Sequence, residues 1–447
     1  MSSPLNFSAD WEYLGEGSAE ERACFAAIGI QRGTYWLTEM QDELANRLRQ
    51  KPLLSGYRLA EWLALNWWRL RWEPSAGAHR ESRSWRFAHR TASIGGGWVW
   101  PDITIFSDGY RTSLVPKPDR AGATASFRYL GADAIVVPSS SFETSVDEFL
   151  GQILERLDAM SVKGSELEQL WKQLCEERAD AGHARFRKLE ALLGLDPDEA
   201  SSEIITQLVN DQQTLGMNAV DELAADAGAD AGADLTGSVQ SAITLSEMAQ
   251  SVGFSSSSID LPKLPLDWKR GVDLVDTRAW IVGARAAQAI RAEIGNIDDP
   301  ISSQKLCSLA GVSATAVAPN ASRTGPISFE MGSDSGRGQI VLRAKQESGR
   351  RFELARILCD KLIAPDDRLH PATRAYTYRQ KTQRAFAAEL LSPFQAMFNR
   401  LQGDYSLENQ TDIADEFSVS QWTINTQLVN NRILDRDALH ERGVNPG

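Results

Sequence analysis

Two helical stretches near the carboxyl end constrain the fold of this chain more than any other feature. In residues 350–363 the apolar side chains recur at the spacing of one helical face, with Phe352, Leu354, Leu358 and Leu362 forming the stripe. A second stretch, residues 386–393, reads Phe-Ala-Ala-Glu-Leu-Leu-Ser-Pro. Together they predict a pair of core-facing helices. Such stripes also occur in unrelated folds, so spacing alone leaves the fold family open.

The order of motifs around these helices resembles the ImmA/IrrE family of metallopeptidases. Arg351, Phe352, Leu354 and Ala355 come first, the Phe386–Pro393 stretch follows, and a tail like a helix-turn-helix comes last. The likeness covers roughly residues 270–435. Members of that family carry His-Glu-x-x-His on the first helix and an acidic third ligand about six residues before the second motif. The resemblance also implies small strands just before the metal-binding helix.

The zinc ligands of that family are changed at every matching position. The resemblance places Arg356 and Asp360 at the two histidine positions, Ile357 at the catalytic glutamate and Gln380 at the third ligand. A helical zinc site of this kind needs two imidazoles four residues apart, and the fixed charge of an arginine repels zinc. We therefore expect a pseudopeptidase without zinc or another cofactor.

A peptidase-like protein without catalysis implies a binding function. The resemblance suggests a regulatory or adaptor protein for a protein partner, in stress response, mobile-element control or phage defence. Its expected partner groove comprises Arg356, Asp360, Gln380 and Glu389. Because Arg356 and Asp360 lie four residues apart, an ordinary intrahelical ion pair is an equally open interpretation.

A metal-dependent hydrolase with an unrecognised site remains an alternative. One version uses Cys359 and Asp360 with a remote histidine. Another uses Asp102, Asp108 and Lys117, because two acids and a lysine can serve metal-dependent phosphodiester cleavage. Neither set matches a specific motif.

Composition is that of a soluble protein with several domains. The chain has 447 residues, and this length suggests two to four domains. Its four cysteines are scattered without a C-x-x-C pair, which argues against a zinc ribbon or a disulfide framework. No apolar run reaches the length of a membrane span, and the first residues lack a signal-peptide pattern. We expect a cytoplasmic protein without a membrane partner; the oligomeric state stays open.

The chain is predicted to be α+β and multidomain. Nine of its thirteen tryptophans lie in the first 125 residues, so residues 1–142 are predicted as an aromatic-rich α+β domain. Those rings favour a core, although a ligand cleft is a second interpretation. The predicted elements of this domain are a helix over residues 53–72 and strands over residues 85–89, 102–106, 110–115, 126–129 and 133–137.

The remaining segments are predicted from their periodicity and composition. Residues 143–224 carry helical stripes, and residues 225–268 combine an Ala/Gly/Asp repeat with a serine run, which is typical of a flexible linker. The resemblance implies a zincin-like pseudopeptidase domain over residues 269–400, and periodicity predicts a helix from Asp276 to Gly295 and strands over residues 327–331 and 339–343 within it.

The last segment, residues 401–447, has the pattern of a helix-turn-helix, in which Ser420 can cap the second helix. This pattern makes a DNA-binding regulator an alternative function, through residues 411–434. The net charge is −13 overall but +2 for residues 337–447, and no lysine or arginine lies between Arg400 and Arg432. The small positive charge of this segment argues against DNA binding, because contacts with phosphates supply most of the affinity for DNA. The expected base-facing residues are Gln421, Thr423, Asn425 and Gln427.

Overall fold

A computed structural model describes residues 3–75, 77, 81–120, 126–229, 239–257, 277–318, 324–332 and 337–435. It is 52% helical and 17% strand with several small antiparallel sheets, which confirms the predicted mixture of helices and sheets. The chain divides into two compact units. Unit 1 comprises Met1–Thr206, Ala224–Val239 and Ala375–Thr377, and unit 2 comprises Gln207–Leu223, Gln240–Arg374 and Tyr378–Gly447.

Unit 1 combines small antiparallel sheets with helices. Its strands, whose ranges follow, form three sheets. In the first sheet β2 pairs with β1, β3 and β6. In the second sheet β8 lies between β7 and β10, and in the third β4 lies between β5 and β9. The elements are β1 (Leu5–Trp11), α1 (Ala19–Ala23), β2 (Phe25–Arg32), β3 (Tyr35–Trp36), β4 (Met40–Asp42), β5 (Arg47–Arg49), β6 (Leu53–Ser55), α2 (Gly56–Leu65), α3 (Trp67–Trp72), α4 (Arg83–His89), β7 (Ile103–Ser107), β8 (Arg111–Pro116), β9 (Phe127–Tyr129), β10 (Ile135–Pro138), α5 (Ser139–Ala159), α6 (Glu166–Ala179) and α7 (Ala181–Leu192).

The core of unit 1 forms where α5 covers the first sheet. Leu5, Phe7 and Ala9 alternate with more exposed residues along β1, which puts one face of the strand inside. The Phe7 ring packs against Phe142 and Phe149 of α5, with centroids 6.5 and 5.9 Å away. Five of the tryptophans belong to the buried set, in accordance with the core interpretation: Trp62, Trp67, Trp68, Trp85 and Trp100.

Two predictions for unit 1 need correction. The strand predicted over residues 85–89 is helix α4, whose first turn is capped by the Ser82 hydroxyl, which accepts from the Trp85 amide. The helix predicted over residues 53–72 begins later, because Leu53–Ser55 pairs with β2 as a strand. Ser55 then caps α2, and the chain breaks at Asn66 before α3.

Unit 2 packs helices against a four-stranded antiparallel sheet of order β11-β13-β12-β14. Helices α8 (Ser202–Leu215) and α9 (Met217–Ala229) each have residues in both units. The other elements are α10 (Ala242–Val252), β11 (Phe254–Ser257), α11 (Ala279–Glu293), α12 (Ser303–Ala310), β12 (Ser328–Gly332), β13 (Arg337–Val341), α13 (Glu347–Ile363), β14 (Leu369–Ala372), α14 (Tyr378–Leu391), α15 (Phe394–Leu401), α16 (Leu407–Phe417) and α17 (Gln421–Asn430).

Helix α11 and strands β12 and β13 match the predicted elements to within a few residues, although Asp276 lies outside the described residues. The predicted linker is partly structured. Ser241 caps α10, which buries Leu245 and Ala249, and β11 pairs with β13. Residues 230–238 and 258–268 of that linker lie outside the described residues.

Helices α11 and α14 approach each other closely at a glycine. A Cβ atom at Gly283 would lie 2.3 Å from the carbonyl oxygen of Thr382 and 2.8 Å from the amide nitrogen of Phe386. Ala286, Ala287 and Ile290 continue this inner face of α11 and are fully buried. The contact therefore requires a residue without a side chain, and it positions α14 alongside α13.

Candidate functional site

Helix α13 carries the expected metal-ligand positions on a buried surface. Leu354, Ile357 and Leu358 are each 0% exposed and belong to the core of unit 2. Ile357, for which the resemblance implied the position of a catalytic glutamate, is therefore a core residue. The neighbouring positions Arg356 and Asp360 are also buried, so polar groups at these positions need partners within the protein.

Arg356 and Gln380 meet through a hydrogen bond. The Arg356 Nη2 atom donates to Gln380 Oε1 and to the carbonyl oxygen of Thr373, both at 2.5 Å. Gln380 Oε1 also accepts from the Thr373 amide at 3.0 Å, and its Nε2 donates to the carbonyl of Pro371 at 3.1 Å. The structure thus brings the first and third expected ligand positions together, but joins them by an arginine and an amide.

Asp360, which was expected at the second histidine position, is bound by three other side chains. Arg379 Nε donates to Oδ1 at 2.6 Å, and Arg379 Nη2 donates to Oδ2. Gln383 Nε2 donates to Oδ1 at 2.7 Å, and His370 Nδ1 lies 3.1 Å from Oδ2. Burial raises the pKa of Asp360, but Arg379 and His370 outweigh burial and hold that pKa below its ordinary value.

The expectation that these residues line a groove for a partner needs correction. Arg356, Asp360 and Gln380 are 7%, 0% and 0% exposed, so a partner protein cannot reach them in this conformation. Glu389 is half-buried; it accepts from Gln288 Nε2 at 2.8 Å and from the Phe394 amide at 3.1 Å, at the start of α15. Asp360 pairs with Arg379 of α14, whereas the sequence suggested a pair with Arg356 in its own helix. The ion pair therefore links two helices.

The donor set at this site does not suit zinc. Within the described part of the chain, no three His, Cys, Asp or Glu side chains are grouped so that they could hold a metal ion. Burial raises the pKa of the Cys359 thiol well above its ordinary value, which disfavours the thiolate that zinc requires. The site as described therefore offers cross-linking polar contacts between α13, α14 and β14.

The second hydrolase arrangement is not assembled either. Asp102 pairs with Arg90, while Asp108 accepts from the Arg111 amide at 2.9 Å in the turn after β7. The two aspartates lie at opposite ends of β7, which separates them by about 20 Å at the rise of a β-strand. The Lys117 amide donates to the Asp102 carbonyl, so Lys117 lies near one aspartate only.

The described tail contains two short helices, α16 and α17, and the second of them is packed into unit 2. Ser418 has a left-handed backbone with φ +53°, and Ser420 caps α17. Thr423, Asn425 and Gln427 are buried, which corrects the expectation that they face DNA, because buried side chains cannot reach base edges. Gln421 is half-buried.

Specific contacts attach this tail to the rest of unit 2. Gln427 Nε2 donates to the Ser392 carbonyl at 3.0 Å and to its hydroxyl at 2.8 Å. Arg351 of α13 donates to the carbonyl oxygens of Ser418 and Ile301, at 3.1 and 2.6 Å. The tail is consequently part of the unit 2 core.

The described part of the tail, residues 401–435, exposes an acidic helix face and one tryptophan. Helix α16 exposes four carboxylates, and Trp422 of α17 is 41% exposed. Clustered negative charge at this position repels phosphates. The four carboxylates belong to Glu408, Asp412, Asp415 and Glu416.

Three residues that were not predicted from the sequence complete the buried network: His370, Arg379 and Gln383. A signal was present in α14, where Arg379, Gln380, Thr382 and Gln383 precede Phe386. Polar residues on the buried face of a helix indicate an internal hydrogen-bond network. Their partner Asp360 lies too far along the chain for spacing to identify the pair.

Comparisons with known proteins add no family assignment, since no family model, curated protein or solved structure matches this chain. Within the described residues, no helix has both the length and the apolar character needed to cross a membrane.

Proposed function

We propose that this chain is a catalytically inactive, peptidase-like regulatory protein that acts by binding a protein partner. The observation that carries the proposal is the hydrogen bond between Arg356 and Gln380 at positions where zinc ligands are expected. It supports a helix arrangement like that of a zinc peptidase, with the ligands replaced by residues that bind one another. Binding is the activity that such a scaffold retains.

The buried network supports a structural use of the former site. Arg379 bonds both Asp360 and Asp367, the second at 2.8 Å, so α13 and α14 are held together without a metal. A buried arginine with a carboxylate can cross-link two helices when further hydrogen bonds satisfy both groups. In this proposal the network preserves the scaffold, and partner contacts lie on exposed surfaces.

The exposed face of the tail is the proposed contact surface. Trp422 supplies an aromatic anchor, which is a residue type enriched where binding energy is concentrated. The acidic face of α16 favours a partner with a basic surface and disfavours DNA. We place the partner contact at Trp422 and the exposed carboxylates of α16 for these reasons.

The test is affinity capture from the cells that naturally encode the chain, with wild type, Trp422→Ala and Trp280→Ala as baits. Trp280 lies on α11 and is 57% exposed, so it is a matched control for loss of a surface tryptophan. We expect wild type and Trp280→Ala to retain the same intact protein partner and Trp422→Ala to lose it. All three should show the same circular dichroism spectrum.

Two other results would contradict the proposal. Cleavage of the captured partner by the purified chain would establish a hydrolase. Binding to DNA that weakens steeply with salt, measured by mobility shift, would favour the DNA-binding alternative. Equal capture of the partner by all three baits would leave binding in place but remove the tail as its surface.

A further inference from the structure

Helix α16 presents carboxylates at regular helical spacing. Glu408, Asp412 and Asp415 follow one another at intervals of four and three residues, so they share one side of the helix, and all three are exposed. Glu416 pairs with Arg400 at 2.7 Å, whereas the other three carboxylates have no cationic partner among the described residues. Like charges at this spacing weaken a helix slightly. A positive surface laid against this α16 stripe would relieve the repulsion.

A positive stripe lies on another helix of the same unit. Arg278 is the N-cap residue of α11 and Arg285 lies seven residues further along, so both arginines lie on one side of the helix. Both are exposed, and within the described part of the chain neither has a carboxylate partner. Trp280 is close to them, with its ring centre 6.0 Å from the guanidinium carbon of Arg278. Arginines and an exposed aromatic ring are residue types enriched at protein interfaces.

The α11 stripe and the α16 stripe have matching dimensions. Arg278 and Arg285 are seven residues apart, and so are Glu408 and Asp415. Seven residues of an α-helix span about 10.5 Å. When two helices pack side by side, each arginine of one stripe can therefore face a carboxylate of the other. Charge and spacing make the two stripes complementary.

The two stripes do not meet within one chain. Arg400 of α15 contacts the loop that follows α11, through Asp299 at 3.6 Å, and it contacts α16 through Glu416. The N-terminal end of α11, where Arg278 lies, is about 22 Å from that loop along the 15-residue helix. The arginines thus lie away from the carboxylates of their own chain. A second copy can bring the two stripes together.

We propose that unit 2 binds a second copy of this chain, with the α11 stripe of one copy against the α16 stripe of the other. Because two different surfaces meet, each copy keeps one free stripe after the first contact, unless both contacts form in a two-fold dimer. This inference rests on the proposed function and deepens it, since the partner surface proposed above includes the same face of α16. Self-association therefore regulates access to that surface, and a partner must displace the second copy.

The contact is weak and depends on salt. The chain has a net charge of −13, so two copies repel each other at long range. About 0.1 M salt limits this repulsion to a range of about 10 Å and leaves ion pairs at contact distance largely intact, whereas about 1 M salt shortens the range to about 3 Å. Helices of 15 and 11 residues form a small interface, for which we expect a Kd of about 10–100 μM.

Sedimentation velocity of the purified full chain, from about 1 to about 200 μM, measures this association. In about 0.1 M salt we expect wild type to shift from monomer to dimer or larger species as its concentration rises, and in about 1 M salt to stay monomeric. The variant Arg278→Glu, Arg285→Glu should raise the Kd by about tenfold or more, because like charges then face each other. The variant Glu408→Arg, Asp415→Arg should do the same. Monomeric wild type at the highest concentration in the lower salt would overturn the inference.

The decisive control combines all four substitutions in one chain. Its two stripes have exchanged their charges, so complementarity is restored and the Kd should return to within about threefold of wild type. A mixture of the two half-exchanged variants should also associate, although neither does so alone; this mixture serves as the control if the fourfold variant does not fold. Circular dichroism checks that the variants are folded. An unchanged Kd in either half-exchanged variant would contradict the inference, and so would failure of both controls to associate.

The failure of this inference can be distinguished from that of the proposed function. Sedimentation uses one purified protein, whereas affinity capture from cells identifies a different protein. A monomeric wild type that still captures a partner would remove self-association and leave the proposed function standing. Self-association without any captured partner would remove the proposed function and leave the contact between α11 and α16 established.

Discussion

Removing Arg379 tests whether the buried network holds unit 2 together. The variant Arg379→Met keeps most of the side-chain length but deletes the donors to both oxygens of Asp360 and to Asp367. Asp360 is 0% exposed, so its carboxylate would retain only His370 and Gln383 as partners. A charge left without its partner in the interior is strongly unfavourable.

The expected loss of stability follows from this burial. Removing one member of a buried ion pair costs about 3–5 kcal/mol. The two remaining partners of Asp360 and its ability to become protonated place the loss near the lower end, at about 3 kcal/mol. For a unit of about 220 residues, each kcal/mol lowers the melting temperature by roughly 2–4 °C. We therefore expect the transition of unit 2 to fall by about 6–12 °C.

Differential scanning calorimetry of the full chain measures this shift, because it separates transitions of two units. The control is the double variant Asp360→Leu and Arg379→Met, which removes both charges. Replacing a buried ion pair by apolar residues is often neutral or stabilising, so the double variant should melt within about 4 °C of wild type or above it. A fall of less than about 2 °C for Arg379→Met alone would refute the assigned strength of the pair.

Four further predictions concern unit 2 and two of the chain's glycines. Because the pKa of Asp360 is lowered, its stabilisation is complete above about pH 4 and is lost as the pH falls further. Acid unfolding followed by circular dichroism should therefore be steeper in wild type than in the double variant. Gly283→Ala should destabilise unit 2 by about 1–3 kcal/mol, because its Cβ would lie 2.3 Å from a carbonyl oxygen of α14. Gly151→Ala, a helical glycine with open space around it, should stabilise the chain by about 0.5–1 kcal/mol, and urea unfolding measures both glycine variants. Gln427→Ala should cost about 1–3 kcal/mol in thermal unfolding, since it leaves Ser392 without its donor; unchanged stability would place α17 outside the core.

Local periodicity predicted the helices of unit 2 because their apolar stripes are regular. Helix α13 was expected from Phe352, Leu354 and Leu358, and it is present over Glu347–Ile363. The expected proximity of positions 356 and 380 also agrees with the structure, through the bond between Arg356 and Gln380. The contact between these two positions leaves the resemblance itself a prediction, and their burial was not expected from the sequence.

The remaining features depend on contacts between distant residues. Asp360 is bound by His370, Arg379 and Gln383, which lie 10, 19 and 23 residues away. No local pattern selects those partners. Residues 85–89 were predicted as a strand, whereas the Ser82 cap and the burial of Trp85 accompany a helix. Tertiary packing overrides such local propensity.

In the tail, contacts between distant residues also prevented a prediction of function from the sequence. Asn425 and Gln427 are residue types that read bases, yet their amides donate to Gln410 and Ser392 inside the protein. The same chemistry that recognises a base can satisfy a buried carbonyl or amide. Residue type at a helix position therefore did not distinguish a DNA-facing surface from a buried one.

Zinc binding is the most direct test of the central claim. Wild type and the variant Arg356→His, Ile357→Glu, Asp360→His, Gln380→Glu are incubated with zinc, desalted and analysed by mass spectrometry for metal per chain. The same variant with Arg356 retained is the control. We predict no retained zinc for wild type or for the control, and about one zinc for the fully substituted variant. Retention of about one zinc per wild-type chain would contradict the account.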